Sequence, residues 1–139
     1  MRYIKEISFF QKTLKGLFIG LALFSFATVL PAQIEGDSVA EAFENADAET
    51  LSGFFQPELW LCIKDFEDSI GSRDAAIRLE RFFTDHTIKG FERLHNGGSA
   101  NHANEVLIGK LYTNKGDYRV YVYFSGGAFK KIDELRIEP

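Results

Sequence analysis

The chain has 139 residues, 45% hydrophobic and 26% charged, an ordinary globular balance. Its charge is uneven: residues 1–32 carry Arg2, Lys5, Lys12 and Lys15 against Glu6, a net of +3, while the other 107 residues hold 12 basic and 19 acidic side chains, a net of −7. A domain this acidic, without a clustered Lys/Arg face, repels a phosphate backbone, which excludes nucleic acid as a partner.

The first 32 residues read as a secretory signal peptide. A positive segment, Met1 to Gly16, precedes an uncharged run, Leu17 to Leu30, and then Pro31-Ala32-Gln33, with small Ala32 as the expected residue before the cut. The apolar run of about 14 residues falls short of the roughly 20 that a spanning helix needs. Residues 33–139 are therefore expected to form one domain, exported to the periplasm or beyond, with no membrane span once the leader is removed. Cys62 is the sole cysteine, so no disulfide forms within the chain and the core must hold the fold alone. Nine Phe, four Tyr and Trp60 remain after residue 32 to build it.

In chain order, Ser38-Val-Ala-Glu41 reads as a capping box opening a helix with Val39, Ala42, Phe43 and Ala46 at helical spacing. Asp47 can cap a second short helix whose buried face is Leu51, Phe54 and Phe55, closed by Pro57. Glu58 to Lys64 alternates as a buried strand, with Cys62 as a small apolar member. Asp65 to Gly71 is a polar turn or a second short strand. Ser72 is the expected cap of a third helix running to about His86, with Ala75, Ala76, Leu79, Phe82 and Phe83 as its apolar stripe. Strands follow at Ile88 to Asn96, Glu105 to Thr113, Tyr118 to Phe124 and Phe129 to Ile137. They are joined by Gly97-Gly98-Ser99, Asn114-Lys115-Gly116-Asp117 and Gly126-Gly127. The last strand breaks strict alternation at Ile132, Leu135 and Ile137, which predicts a bulge.

This pattern is an α+β domain, with three N-terminal helices packed on a strongly curved, mainly antiparallel sheet. The order of elements resembles the nuclear-transport-factor-two-like superfamily, whose bent sheet wraps its helices into a cone with a pocket at the open end. Val39 to Leu61, Ile108 to Phe124 and Leu135-Arg136-Ile137-Glu138 are similar, more narrowly, to a small secreted bacterial branch known as a domain of unknown function. The superfamily contains isomerases, dehydratases, cyclases, ligand carriers and protein-binding modules. Its enzymes place an acid/base pair inside the cone, and no such pair matches residue by residue here.

Chemistry-bearing motifs are sparse. His86, His95 and His102 are spaced by nine and seven residues and match no zinc pattern, so no metal and no cofactor are expected. His86, near a helix end, suits the last carbonyls there. No nucleophile elbow occurs, and Cys62 lies mid-strand without a cationic neighbour to activate it. The candidate ligand-binding residues are Trp60, Tyr112, Tyr121, His95 and Arg119, with Tyr123, Arg93 and Lys110 near them. In a bent sheet some would line the mouth of the cone and take a small acidic or apolar molecule. The competing reading is that the tyrosines fill the core and the outer sheet face.

Three functions stand open. The first is a non-catalytic exported binding module for a small molecule or a protein. The second is a cone-pocket isomerase or hydrolase using His95 with Tyr112, Asp65 or Glu92. The third is an envelope-associated domain forming a homodimer through its sheet face.

Overall fold

The computed structural model describes residues 31–98, 104–126 and 130–139. The leader up to Leu30, Ser99, His102, Gly127 and Phe129 lie outside the described residues, and the expected cut after Ala32 falls in the first turn of the first helix. The elements run α1 (Pro31–Glu44), α2 (Ala48–Gly53), β1 (Phe55–Ile63), β2 (Phe66–Gly71), α3 (Ser72–Asp85), β3 (Ile88–Gly98), β4 (Asn104–Thr113), β5 (Gly116–Ser125) and β6 (Lys131–Glu138). The α+β class is as expected, but only two helices are N-terminal. The third is inserted between β2 and β3, because the polar segment after Lys64 pairs back on β1 as a strand before the chain turns helical.

The helix starts also differ from the sequence reading. Ser38 caps nothing, since α1 begins at Pro31 and places Ser38 and Glu41 in its interior. Gly71, in extended backbone, precedes α3 in place of a serine cap, and no side chain bonds the first turn there. Asp47 does cap α2, accepting the Thr50 amide at 2.9 Å and the Thr50 hydroxyl at 2.6 Å. Those two bonds hold its carboxyl below the usual carboxylate range. Just before it, Ala46 takes a left-handed φ of 54°, with the Ala46 amide on the Phe43 carbonyl and the Asp47 amide on that of Ala42. This is the Schellman closure, and its left-handed position ordinarily belongs to glycine.

All six strands form one sheet in the order β2-β1-β6-β5-β4-β3. Only β1 and β6 run parallel. Register shifts fall in β1, twice in β3, and in β6 between the partners of Tyr123 and Phe124, where Asp133 is the extra residue. Each bulge bends its strand and raises the local twist, which curves the sheet. The predicted irregularity of the last strand is therefore real.

The curved sheet presents one parity of residues to the helices. Leu59, Leu61 and Ile63 of β1, Leu107 and Leu111 of β4, Tyr118, Val120, Val122 and Phe124 of β5, and Ile132, Leu135 and Ile137 of β6 are all buried. Against them pack Val39, Ala42 and Phe43 of α1, Leu51 of α2, and Ala75, Leu79, Phe82 and Phe83 of α3. Phe43 stacks on Phe91 of β3 with centroids 5.2 Å apart and meets Phe83 edge-on at 6.2 Å, tying two helices to one strand. Truncating a buried phenylalanine of this kind costs about 3–5 kcal/mol. Arg93 anchors the start of α1 from β3, donating to the Gly36 carbonyl at 2.7 Å and pairing with Asp37 at 2.8 Å. Among the described residues no helix is long and apolar enough to cross a membrane.

Two positions carry opposite demands on the backbone. Ala46→Gly removes the left-handed penalty and should stabilise the fold by about 1 kcal/mol, read as a higher urea midpoint at unchanged slope. Gly109→Ala acts the other way. A β-carbon there would lie 2.1 Å from the Phe91 ring, which lies across the glycine. The expected loss is about 2 kcal/mol, and it should shrink sharply when Phe91 is also alanine, since the two positions share one space.

Candidate functional site

Strand alternation and register decide where the candidate residues lie. Tyr121 faces Arg136 on one side and Ile108 on the other, and Ile108 in turn faces His95. Trp60 and Tyr123 both face Glu134 from opposite sides, and Arg119 sits beside Lys110 and Glu138. Tyr112 lies on the same side of β4 as Lys110, opposite in parity to buried Leu111. Trp60, Tyr112, Tyr121, His95 and Arg119 thus share the outer face of the sheet, away from the three helices. For Trp60, Tyr112, Tyr121 and Arg119 the signal was present in the sequence, since each has the opposite parity to the helix-facing residues beside it; His95 shares the parity of inward-facing Phe91, and the bulge between Arg93 and His95 is what turns it outward.

They share that face as a surface and make no cleft. Trp60 and His95 stand four strands apart, about 19 Å at the usual strand spacing. Tyr112 is four residues along β4 from the Ile108 that faces His95, about 13 Å at the usual rise. Proton transfer needs about 3 Å or one bridging water, so His95 and Tyr112 do not form an acid/base pair. Tyr112 instead donates its hydroxyl to Glu92 Oε2 at 2.5 Å, and this bond, ahead of burial, pushes the phenol above its usual range.

A polar group on this face is centred on Arg136, which bonds Glu134 and reaches Glu138 at 3.3 Å and Glu67 at 3.2 Å. Glu67 Oε1 also accepts the Trp60 indole N–H at 3.1 Å, so one carboxylate fixes both the arginine and the indole. Cys62 lies buried in this group. Burial, followed by the negative charge of Glu67 and Glu138, pushes its thiol up, so it stays protonated and a poor nucleophile. Cys62 is a small buried strand residue as expected, but it does have a cationic neighbour: Arg136 lies opposite it in the register, and its pull on the thiol is outweighed by burial and the glutamates.

A second arrangement lies on the helical side, and sequence reasoning reached only half of it. His86 follows α3 and is buried; its Nδ1 sits 2.9 Å from the Phe82 carbonyl, the role expected of a histidine at a helix end. A carbonyl only accepts, so the Nδ1 proton is donated to it, and Nε2 is left to accept from the Tyr118 hydroxyl at 3.1 Å. Phe82 stacks on the imidazole at 4.2 Å and meets Tyr118 edge-on at 5.3 Å. The missed partner was Tyr118, whose parity marked it as inward-facing but whose hydroxyl needs a polar mate when buried. Beside this cluster, between the end of α3 and the β1–β2 hairpin, opens a cleft of about 170 Å³. It is lined by Ile63, Lys64, Phe66, Arg78, Arg81, Phe82, Asp85 and His86. Among the described residues no group of three His, Cys, Asp or Glu could hold a metal ion.

A six-stranded curved sheet with three helices on one face is the cone fold of the nuclear-transport-factor-two-like superfamily. A de novo designed protein with a curved β-sheet superposes with a TM-score of 0.63 at 14% identity, over 78% of this chain and 99% of its own. The chain belongs to the family described as Domain of unknown function (DUF4783), whose model matches residues 36–138. Family proteins from Bacteroides ovatus and Bacteroides uniformis both superpose with a TM-score of 0.68 at 24% identity. Each alignment covers 73% of this chain, with 91% and 94% of the respective relatives. At these identities the likeness carries the fold alone. No curated protein matches the chain.

Tyr118→Phe removes the donor to His86 and leaves a buried imidazole nitrogen without a partner while keeping the ring packing. Stability should fall by about 1–2 kcal/mol in chemical denaturation. His86→Phe in the same background should recover part of that loss, because no orphaned nitrogen then remains.

Proposed function

We propose that the chain is an exported, non-catalytic binding module whose docking surface is the outer face of the sheet, taken by a second copy of the same chain. The observation that carries this reading is that Trp60, Tyr112, Tyr121, His95 and Arg119 spread across that one face. A small molecule needs a concavity that encloses most of its surface, and a spread of this breadth offers none. Six strands at the usual spacing, each about eight residues long, make a face of about 700 Å², close to the roughly 800 Å² per partner of a standard interface.

The composition favours a like partner. Trp60 and Tyr123 are 40% and 38% exposed, large aromatics of the kind that anchor interfaces. Glu67, Glu134 and Glu138 outnumber Arg136, which they surround, on the β2-β1-β6 half, while on the β5-β4 half Lys110 is paired with Asp117 and Arg119 holds no carboxylate among the described residues. A twofold axis through the middle of the face brings each half over its opposite, as an isologous contact requires. The distance between His95 and Tyr112 weighs against the acid/base reading of that pair.

Sedimentation equilibrium over a wide concentration range should find a dimer, and Trp60→Lys with Tyr123→Lys should return it to monomer with unchanged thermal unfolding of the protomer. A wild-type chain that stays monomeric at the highest concentration reached would remove the proposal. So would a dimer indifferent to both substitutions.

A further inference from the structure

Three cations stand around the cleft between α3 and the β1–β2 hairpin: Arg78 and Arg81 on the helix and Lys64 in the turn. Arg93, Lys110, Lys130 and Arg136 each hold a carboxylate within ion-pair distance. Among the described residues Arg78, Arg81 and Lys64 hold none. Asp85 is the only acid lining the cleft, so its rim is locally positive in a domain whose net charge is −7. The guanidinium of Arg78 lies 3.6 Å over the centre of the Phe66 ring, a contact that holds its planar fork in place before any ligand arrives. The walls are apolar and flat: Phe66, Phe82, Ile63 and the edge of His86, whose two ring nitrogens are already bonded.

We infer that this cleft binds a compact aromatic monocarboxylate, its ring against Phe82 and Ile63 and its carboxylate on the Arg78 fork, with Arg81 and Lys64 adding charge at the rim. Size agrees with this class. A cavity of about 150 Å³ accommodates a benzene ring, and the cleft offers about 170 Å³ with an open side for the charged group. A bare phosphate satisfies the cations but leaves the apolar walls wet, and a neutral ring satisfies the walls but leaves the cations unpaired. Only a ligand with both parts uses both features. Guanidinium and carboxylate meet through two parallel bonds, which an ammonium at the same place cannot reproduce. The site is on the helical side of the sheet, opposite the docking face proposed above.

The test is amide NMR of the purified chain titrated with benzoate, benzyl alcohol and inorganic phosphate. Benzoate should give saturable shifts centred on Lys64, Phe66 and the stretch from Arg78 to His86, with benzyl alcohol and phosphate each about tenfold weaker. Arg78→Gln should weaken benzoate about tenfold, and Arg78→Lys should restore only part of the loss. Arg81→Gln, at an exposed helix position, serves as a second variant should Arg78→Gln disturb the hairpin. No saturable benzoate shift, or equal binding of benzoate and benzyl alcohol, would overturn the inference. Phosphate binding as tightly as benzoate, or benzoate binding indifferent to both arginines, would do the same. Oligomeric state is read separately, so failure here leaves the docking proposal standing or falling on its own measurement.

Discussion

Three helices cover one face of a six-stranded sheet, and among the described residues nothing covers the other. A strand sends successive side chains to opposite faces, so this arrangement sorts every strand residue by parity alone. On β5 the sorting is complete: Tyr118, Val120, Val122 and Phe124 are buried, while Arg119 and Tyr123 are exposed and Tyr121 is half-buried between them. The same rule separates Leu59 and Leu61 from Trp60, and Leu111 from Tyr112. Close approach of the helices depends on one missing β-carbon. With Gly109 bare, Phe91 lies flat on the sheet and offers its ring to Phe43; that contact and Phe43 on Phe83 draw α1 and α3 onto one strand.

Much of this was legible before any coordinate. Alternation located β1 and β5, the Asn114-to-Asp117 signal located the hairpin that closes at Thr113 and Gly116, and the broken alternation of β6 located its bulge. His86 was placed against the last carbonyls of its helix for the reason found. Failures had a common cause. Ser38 and Ser72 have the chemistry of caps, but a cap also requires a helix that begins at that residue, which depends on backbone the side chain does not control. Edge strand β2 gave no clear alternation because both sides of Glu67, Asp68 and Ser69 meet solvent. A bent sheet alone would let some of the candidate residues line the mouth of a cone, but register places Trp60, Tyr112, Tyr121, His95 and Arg119 on the face away from the helices.

Electrostatics follow the same division. On the outer face charges sit in partly wet networks, such as Arg136 among Glu67, Glu134 and Glu138, where each pair is worth little and the benefit is the fixed direction of Trp60 and Arg136. Lys130 is different: it is buried at the far end of the sheet, just before β6, and pairs with Glu105 at the start of β4. An ammonium held there without its carboxylate would be strongly destabilising, so this pair restrains the end of the sheet where β4 begins. Cys62 lies between these regimes, dry enough and near enough to carboxylates to keep its proton, which makes a covalent role for it the least supported chemistry in the chain.

The β1–β2 hairpin is where the two proposed surfaces depend on one feature. Its outward residues, Trp60 and Glu67, belong to the docking face, while Ile63, Lys64 and Phe66 belong to the cleft under α3. Six register pairs, from Glu58 with Gly71 to Ile63 with Phe66, fix which residues go to which side. A slip of one residue in β2 would turn Glu67 inward and Phe66 outward, removing the partner of the Trp60 indole and the ring beneath Arg78 in the same step. The slip is resisted by the tight turn, in which Lys64 holds a φ of 56° and gives its amide to the Ile137 carbonyl. A left-handed non-glycine residue costs about 1 kcal/mol or more, and it persists here because the bond to β6 and the flanking pairs over-determine it. Register in one short edge hairpin, rather than any single reactive group, is thus the condition that both binding surfaces share.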